Sequence, residues 1–160
     1  MSNPRNAWLA GSASAFALIF AGLTLWEGNV PKPYFDVARI KTVCVGHTGN
    51  DIEDRIYSPA ECEAFLRGDI KEHSAAVLRC ADVPLNERTY TAFVLLTFNI
   101  GGEAFCKSSL LKKFNSGQFV DGCEGMMAWN KARINGVLQE VRGLTRRRDY
   151  ERRLCMSGLA

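Results

Sequence analysis

The feature that most constrains this chain is an N-terminal stretch, Asn6 to Trp26, that contains no charged side chain. The 20 residues from Ala7 to Trp26 are enough to cross a bilayer as a helix, since a helix rises about 1.5 Å per residue. Arg5 precedes the stretch and favours a cytoplasmic N-terminus. The span is weakly apolar, however, because eleven of its 20 residues are Ala, Gly, Ser or Thr.

Two ordinary interpretations of this span stay open at the level of the residues. A cleaved signal peptide needs a small-residue site, and Ala13-Ser14-Ala15 has that form. A cut there would leave the apolar stretch Phe16 to Trp26 on the mature chain. A permanent anchor is the second interpretation, although so many small residues gain little from lipid.

Directly after the span come two carboxylates and a hydroxyl, on Glu27, Asp36 and Thr42. Hydrolysis of a glycosidic bond needs one acid to protonate the leaving oxygen and a second carboxylate to handle water or the sugar cation. The spacing alone is weak evidence, because two surface acids nine positions apart are common.

The context of these residues resembles the active-site segment of the phage-type lysozymes, glycoside hydrolase family 24. The similarity runs in collinear order from about Trp26 to the C-terminus. The matching segments are Glu27-Gly28, Pro33-Tyr34, Asp36, Thr42-Val43, Gly46-His47-Thr48-Gly49, Tyr57, Ala60-Glu61-Cys62, Phe98-Asn99-Ile100-Gly101, Ser109 to Asn115, Gly143 to Arg148 and Glu151-Arg152.

The resemblance implies a muramidase that cuts the β-1,4 bond between N-acetylmuramic acid and N-acetylglucosamine in peptidoglycan, with no metal or organic cofactor. Glu27 would be the general acid, Asp36 the second carboxylate, and Thr42 would hold the water or orient Asp36. The family favours inversion of the anomeric centre, although a nucleophilic second residue stays possible.

Further contacts to the sugar are implied less directly. Candidate substrate-binding residues are Gly46, His47, Phe98 and Asn99. Phe98 and Asn99 match positions that line the cleft, and His47 is expected to bond locally more than to act in catalysis. An arginine near the C-terminus should approach Glu27. Arg146 and Arg147 are both candidates, and Arg146 is grouped here with the substrate-binding residues.

A third interpretation of the span comes from the same resemblance. A subset of phage endolysins carries a Gly- and Ala-rich signal-arrest-release segment, which enters the membrane by the export machinery and later leaves uncleaved. We therefore expect residues 1–26 to be such a segment and residues 27–160 to be the catalytic domain. Expected partners are the host inner membrane, through residues 7–26, and the export machinery. The enzyme would then reside at the periplasmic side of that membrane and, after release, in the periplasm.

Six cysteines occur, none before position 44, and an even number in an exported chain suggests disulfides. Six cysteines allow 15 pairings, among which the residues themselves do not choose. The resemblance implies Cys44–Cys62, Cys80–Cys106 and Cys123–Cys155. Their spacing, without a CxxC motif or a run of histidine partners, disfavours zinc.

Local patterns place the elements. Gly28 to Pro33 is expected to be a loop and Tyr34 to Val45 a small antiparallel sheet. Caps predict four helical segments, and Lys131 to Arg142 is expected to be a loop. The first helix starts at the capping box Ser58 to Glu61 and runs to about Arg79, and the second is capped by Asn86 and stops at Gly101-Gly102. The third is capped by Ser108 and closes near Gly117, and the last runs from Thr145 to Met156. A further helix is expected over about 118–130.

The sequence thus predicts an α+β, lysozyme-like chain: a small β-sheet lobe, a larger helical lobe, a cleft between them and an N-terminal hydrophobic helix. A length of 160 residues fits one compact unit, which we expect to be a monomer. The net charge of +3 gives no reason to expect nucleic acid. Two alternatives are a lytic transglycosylase, which needs no Asp36 or Thr42, and a non-catalytic membrane-tethered wall-binding protein.

Overall fold

The N-terminal stretch is helical and folds onto the body of the protein. In this computed structural model, which describes residues 4–36 and 39–160, a 3₁₀ helix spans Pro4–Gly11 and α1 spans Ala13–Glu27. The two helices meet at an angle of 67°. Residues 1–3 of the expected N-terminal segment, and Val37 and Ala38 of the expected sheet, lie outside the described residues.

Ser12 lies at the bend between the two helices. Its Oγ accepts a hydrogen bond from the Ala15 backbone N–H at 3.2 Å and so caps α1. The expected N-terminal hydrophobic helix is present, and it ends at Glu27. Ala15, Ile19 and Leu23 of α1 are at most 1% exposed and belong to the main core. Within the described part of the chain, no single helix has both the length and the hydropathy of a membrane span, and the two N-terminal helices meet that test only as a bent pair.

A three-stranded antiparallel sheet follows, with β1 Val30–Phe35, β2 Lys41–Cys44 and β3 His47–Thr48 in that order. The predicted sheet is confirmed, but the prediction of a loop up to Pro33 is wrong, because β1 begins at Val30. β1 is an edge strand whose register shifts between Val30 and Tyr34. Such a strand tolerates Pro31 and Pro33, which lack the N–H that an inner strand would need.

Two long helices cross the middle of the molecule. α2 spans Pro59–Cys80 and begins with the predicted capping box between Ser58 and Glu61. α3 spans Glu87–Ile100, with Asn86 Oδ1 accepting from the Thr89 N–H at 2.9 Å. Its centre is fully buried, and α1, α2 and the last helix all pack against it.

Shorter helices follow α3, and they differ from the prediction in two ways. They are α4 Gly102–Lys107, α5 Ser109–Asn115, α6 Phe119–Glu124 and a 3₁₀ helix Gly125–Trp129. Gly101 ends α3 as expected, but α4 starts at once. The helix predicted over 118–130 narrows to a 3₁₀ helix after Glu124, where Gly125 lies against Leu110 of α5.

The segment predicted as a loop at 131–142 is instead a hairpin of β4 Lys131–Ile134 and β5 Val137–Glu140. Asn135 and Gly136 have φ of 49° and 81°, the positive values of a type I′ turn. The last helix, α7, spans Arg142–Ser157 with Val141 as its N-cap.

The prediction that Thr145 caps the last helix is wrong. The hairpin closes with a 2.9 Å bond from the Val141 N–H to the Asn130 carbonyl, so the helix starts directly behind it. Thr145 lies in the first turn and its hydroxyl donates to the Val141 carbonyl at 3.2 Å.

Three disulfides connect neighbouring elements, and they have the pairing that the resemblance implies. Cys44–Cys62 joins β2 to α2, Cys80–Cys106 joins α2 to α4, and Cys123–Cys155 joins α6 to α7. The sheet lobe has its own small core, which includes Val43, Ile52 and Tyr57, while the larger core surrounds α3. This division leaves a cleft between the two lobes.

Candidate active site

Glu27 stands where the helical lobe meets the sheet lobe. It is the last residue of α1, and Gly28 ends the helix with φ of 69°. Its side chain is 21% exposed and accepts a 2.5 Å hydrogen bond at Oε1 from Arg147 Nη1. The carboxylate is therefore held in one orientation while part of it stays open to solvent.

The arginine that contacts Glu27 is Arg147, one of the two candidates, while the grouping of Arg146 with the substrate-binding residues stays a prediction. Arg146 is exposed at the adjoining position of α7, whereas the Arg147 side chain is only 6% exposed. Arg147 also donates from Nη2 to the Leu95 carbonyl at 3.3 Å, which ties it to α3.

Behind Arg147 lies a buried ionic network that the sequence did not reveal. Glu151 is fully buried, and its Oε1 accepts from Arg147 Nε at 3.1 Å and from Arg148 Nη2 at 2.7 Å. Arg148 in turn donates to Asn99 Oδ1 at 2.9 Å. With Glu27, the network contains two cations and two anions, which is the balance that charges need when they leave water.

Burial dominates the titration of the inner pair. Desolvation raises the pKa of the Glu151 carboxyl, although Arg148 and Arg147 act to lower it. Desolvation likewise lowers the pKa of the Arg148 guanidinium, against the opposing charge of Glu151. Each group therefore depends on the other to stay charged inside the protein.

Gly46 brings the sheet lobe against the catalytic candidate. It lies in the turn between β2 and β3 with φ of 73°. A Cβ added to it would lie 3.1 Å from Glu27 Oε2, so a side chain at this position would press on the carboxylate. Glycine is therefore needed both for the backbone conformation and for the close approach.

Asp36 and Thr42 are brought together around the backbone of Ile40. The Asp36 N–H donates to the Ile40 carbonyl at 3.0 Å, and the Ile40 N–H donates to Asp36 Oδ1 at 2.8 Å. The hydroxyl of Thr42, a residue only 4% exposed, donates to the same carbonyl at 3.0 Å. Its oxygen lone pairs remain available as hydrogen-bond acceptors.

His47 lies inside the sheet lobe instead of facing the open cleft. It is 9% exposed and stacks on Phe65 with ring centroids 4.0 Å apart. Its Nδ1 is 2.9 Å from Asp69 Oδ2 and its Nε2 is 3.2 Å from Asp51 Oδ1. These contacts favour the local structural role that was expected for this histidine.

A cavity of about 330 Å³ opens beside Gly46. Phe98 and Asn99 line it as expected, together with three residues of α2 that the sequence analysis missed. The missed residues are Asp69, Glu72 and His73. Their spacing of three and four along a helix was the available signal, since it places them on one face.

The cavity combines aromatic rings with polar groups. His73 and Phe98 have ring centroids 4.9 Å apart. Burial lowers the pKa of His73 and raises the pKa of Asp69. No group of three His, Cys, Asp or Glu side chains suited to a metal ion occurs among residues 4–36 and 39–160.

Comparison with known proteins agrees with this geometry. The family model described as phage lysozyme matches residues 24–151. The SAR-endolysin of Escherichia phage Mu is 44% identical over 125 residues, which are 78% of this chain and 71% of that protein. The SAR-endolysin of Pseudomonas phage phiKMV is 35% identical over 94% of this chain and 92% of its own length.

A solved structure shows the same architecture. The muramidase domain of SpmX from Asticaccaulis excentricus superposes with a TM-score of 0.79 at 28% identity, over 91% of this chain and 96% of that one. The residues that the family model matches include Glu27, Asp36 and Thr42. The chain therefore belongs to the phage lysozyme family and is a lysozyme.

Proposed function

We propose that this lysozyme hydrolyses the β-1,4 bond between N-acetylmuramic acid and N-acetylglucosamine, with Glu27 as the general acid. The observation that carries the proposal is the placement of Glu27, which is fixed by Arg147, pressed against Gly46 and still 21% exposed beside the cleft. A fixed carboxyl group with one open side can give a proton to the leaving oxygen of a bound sugar.

Asp36 and Thr42 act on the other reactant. Asp36 accepts a proton from the attacking water, and the Thr42 oxygen accepts a hydrogen bond that positions this water. Their shared attachment to Ile40 supports the assignment, because it keeps the two side chains in a constant relation. A single displacement of this kind inverts the anomeric centre.

The assignment is tested by the clearing of purified cell walls by Glu27→Gln, Asp36→Asn and the wild type, with Glu103→Gln as a matched surface control. Loss of about two or more orders of magnitude in rate is expected for the first two variants and none for the control. Wild-type clearing by Glu27→Gln would overturn the acid role. Products ending in an anhydro-sugar instead of a reducing end would indicate a lytic transglycosylase.

The endolysin relatives connect this activity to lysis of the host cell. We propose that residues 1–26 act as a signal-arrest-release segment that reaches the host inner membrane by the export machinery. The enzyme is then tethered on the periplasmic side and enters the periplasm on release.

The packing of α1 supports this order of events. Ile19 and Leu23 are buried against the body, so the same side chains cannot also face lipid. Because Glu27 directly follows this segment, its contact with Arg147 requires α1 to be on the body. The tethered form is therefore inactive. Dissipating the membrane potential in cells should move the full-length chain from the membrane fraction to the soluble fraction; a chain that stays in the membrane contradicts the proposal.

A further inference from the structure

A second concave surface lies away from the cleft, between the N-terminal segment and α2. This groove has a volume of about 380 Å³ and is lined mainly by apolar side chains. The 3₁₀ helix and α1 form one wall through Leu9, Phe16 and Ile19, and α2 forms the other through Ile70 and Leu78. Neither Glu27, Asp36 nor Thr42 lines it, so it is distinct from the catalytic site.

The rim of the groove is positively charged. Arg67 lies with Cζ 4.7 Å from the centre of the Phe16 ring, and Glu63 partly neutralises it through a 2.6 Å ion pair. Lys71, which is exposed, forms no ion pair within the described ranges of the chain. The lining thus has an ammonium group at its edge that can accept an anion.

The inner wall of the groove contains two polar side chains, Ser74 and Tyr90. Ser74 is 6% exposed and Tyr90 is 2% exposed, and the two hydroxyls are neighbours. The two groups add a small polar area to a wall that is otherwise apolar.

We propose that this groove binds a single-chain fatty acid, with the alkyl tail between α1 and α2 and the carboxylate at Lys71. An apolar lining with a cationic rim is complementary to an anionic head group on one alkyl chain. The volume lies near the lower limit for ligand pockets, which suits one chain better than the two chains of a phospholipid. Such a ligand touches the N-terminal segment and α2 together, so its binding stabilises the packed form of the segment.

The test uses the full-length protein and calorimetric titration with decanoate and with decylamine, both below the concentration at which they form micelles. Decanoate should bind with one molecule per chain and raise the melting temperature, while decylamine should bind more weakly. In Lys71→Glu the preference should reverse, with decanoate weakened about tenfold or more, because an attraction at the rim becomes a repulsion. Lys112→Glu, an equal charge change on α5, should leave both affinities unchanged.

A second variant tests the tail site separately. Ala75 lines the groove and is exposed, so Ala75→Trp should fill the groove and abolish binding of both probes while the melting temperature without ligand stays close to that of the wild type. Equal binding of the two probes to the wild type, or decanoate binding that neither variant changes, overturns the proposal. Binding to phosphatidylglycerol vesicles without binding to decanoate also overturns it, since a membrane surface would then be the partner. Wall clearing by Lys71→Glu should equal that of the wild type, so this result is independent of the catalytic assignment.

Discussion

Arg147 donates a 2.5 Å hydrogen bond to Glu27 across a sequence separation of 120 residues, and so joins the last helix to the end of α1. The same guanidinium contacts the fully buried Glu151. One side chain therefore connects the catalytic candidate to the charged interior of the helical lobe.

Replacing Arg147 by Ala should destabilise the protein by about 3 kcal/mol, because Glu151 loses one of its two cations inside the protein. Urea unfolding of the purified enzyme measures this loss. Arg146→Ala is the matched control on the adjoining, exposed position, and its effect should stay within about 0.5 kcal/mol. Equal effects of the two variants would show that the buried network contributes little.

Gly46→Ala should lower activity more than stability. The positive φ costs an alanine about 1 kcal/mol, and the added Cβ presses on Glu27 Oε2 from 3.1 Å. Gly136→Ala is a close control, since its φ of 81° imposes the same backbone strain while no atom lies within 4 Å of the new Cβ. Both variants should lose similar stability by thermal unfolding, whereas only Gly46→Ala should lose wall-clearing rate. A similar fall in rate for both would contradict the proposed contact.

Two substitutions of Thr42 distinguish the role of its hydroxyl from the role of its shape. Thr42→Val keeps the volume and removes the hydroxyl, so activity should fall by about two orders of magnitude and stability by about 1 kcal/mol. Thr42→Ser keeps the hydroxyl and should retain most of the activity. Steady-state rates on soluble wall fragments distinguish these outcomes, and a fully active valine variant would remove Thr42 from the mechanism.

The start of α2 should weaken in acid. Hydrogen bonding to Arg55 and to Ser58 lowers the pKa of Glu61 from 4.5 to about 2. Because the folded-state pKa is depressed, the stabilisation is present above about pH 4.5 and is lost as the pH falls towards 2. The difference in melting temperature between the wild type and Glu61→Gln should therefore be largest near neutrality and should shrink over that interval. Since Glu61 is exposed, 1 M salt should reduce this difference in melting temperature. A difference that does not change with pH would contradict the lowered pKa of Glu61.

Substitution of Gly22 tests whether release from the membrane requires α1 to pack against the body of the protein. A Cβ at this position would lie 2.9 Å from two atoms of Leu95 on α3, so Gly22→Val should destabilise the folded protein by about 2 kcal/mol. Gly11→Val adds the same apolar surface where no atom lies within 4 Å. In cells whose membrane potential is dissipated, Gly22→Val should give less soluble, active enzyme than Gly11→Val. Equal yields of soluble, active enzyme from the two variants would show that release does not depend on the packing of α1.

Local chemistry explains which parts of the fold the sequence predicted. Ser58, Asn86 and Ser108 bond to backbone groups within three residues, so the helix starts that they set follow from sequence alone. The hairpin at Asn135-Gly136 has an equally local signal, since Asn-Gly is typical of a type I′ turn, and the prediction of a loop over 131–142 did not include it.

The charged interior has no such local signal. Glu and Arg are almost always at the surface, so the burial of Glu151 and Arg148 depends on partners that only the tertiary fold supplies. The choice between Arg146 and Arg147 was open for a related reason. Each step along a helix turns the side chain by more than a quarter turn, so the face that meets Glu27 depends on how α7 is packed.

The long sequence separation between Glu27 and Arg147 also determines when their contact can first form. Glu27 leaves the ribosome 120 residues before Arg147. Asn6 likewise has its partner, the Leu85 N–H at 2.8 Å, 79 positions later. A growing chain therefore carries every part of the N-terminal segment long before it carries the groups that fix it in place. In a growing chain, the contact between Glu27 and Arg147 can therefore form only after the last helix has been synthesised.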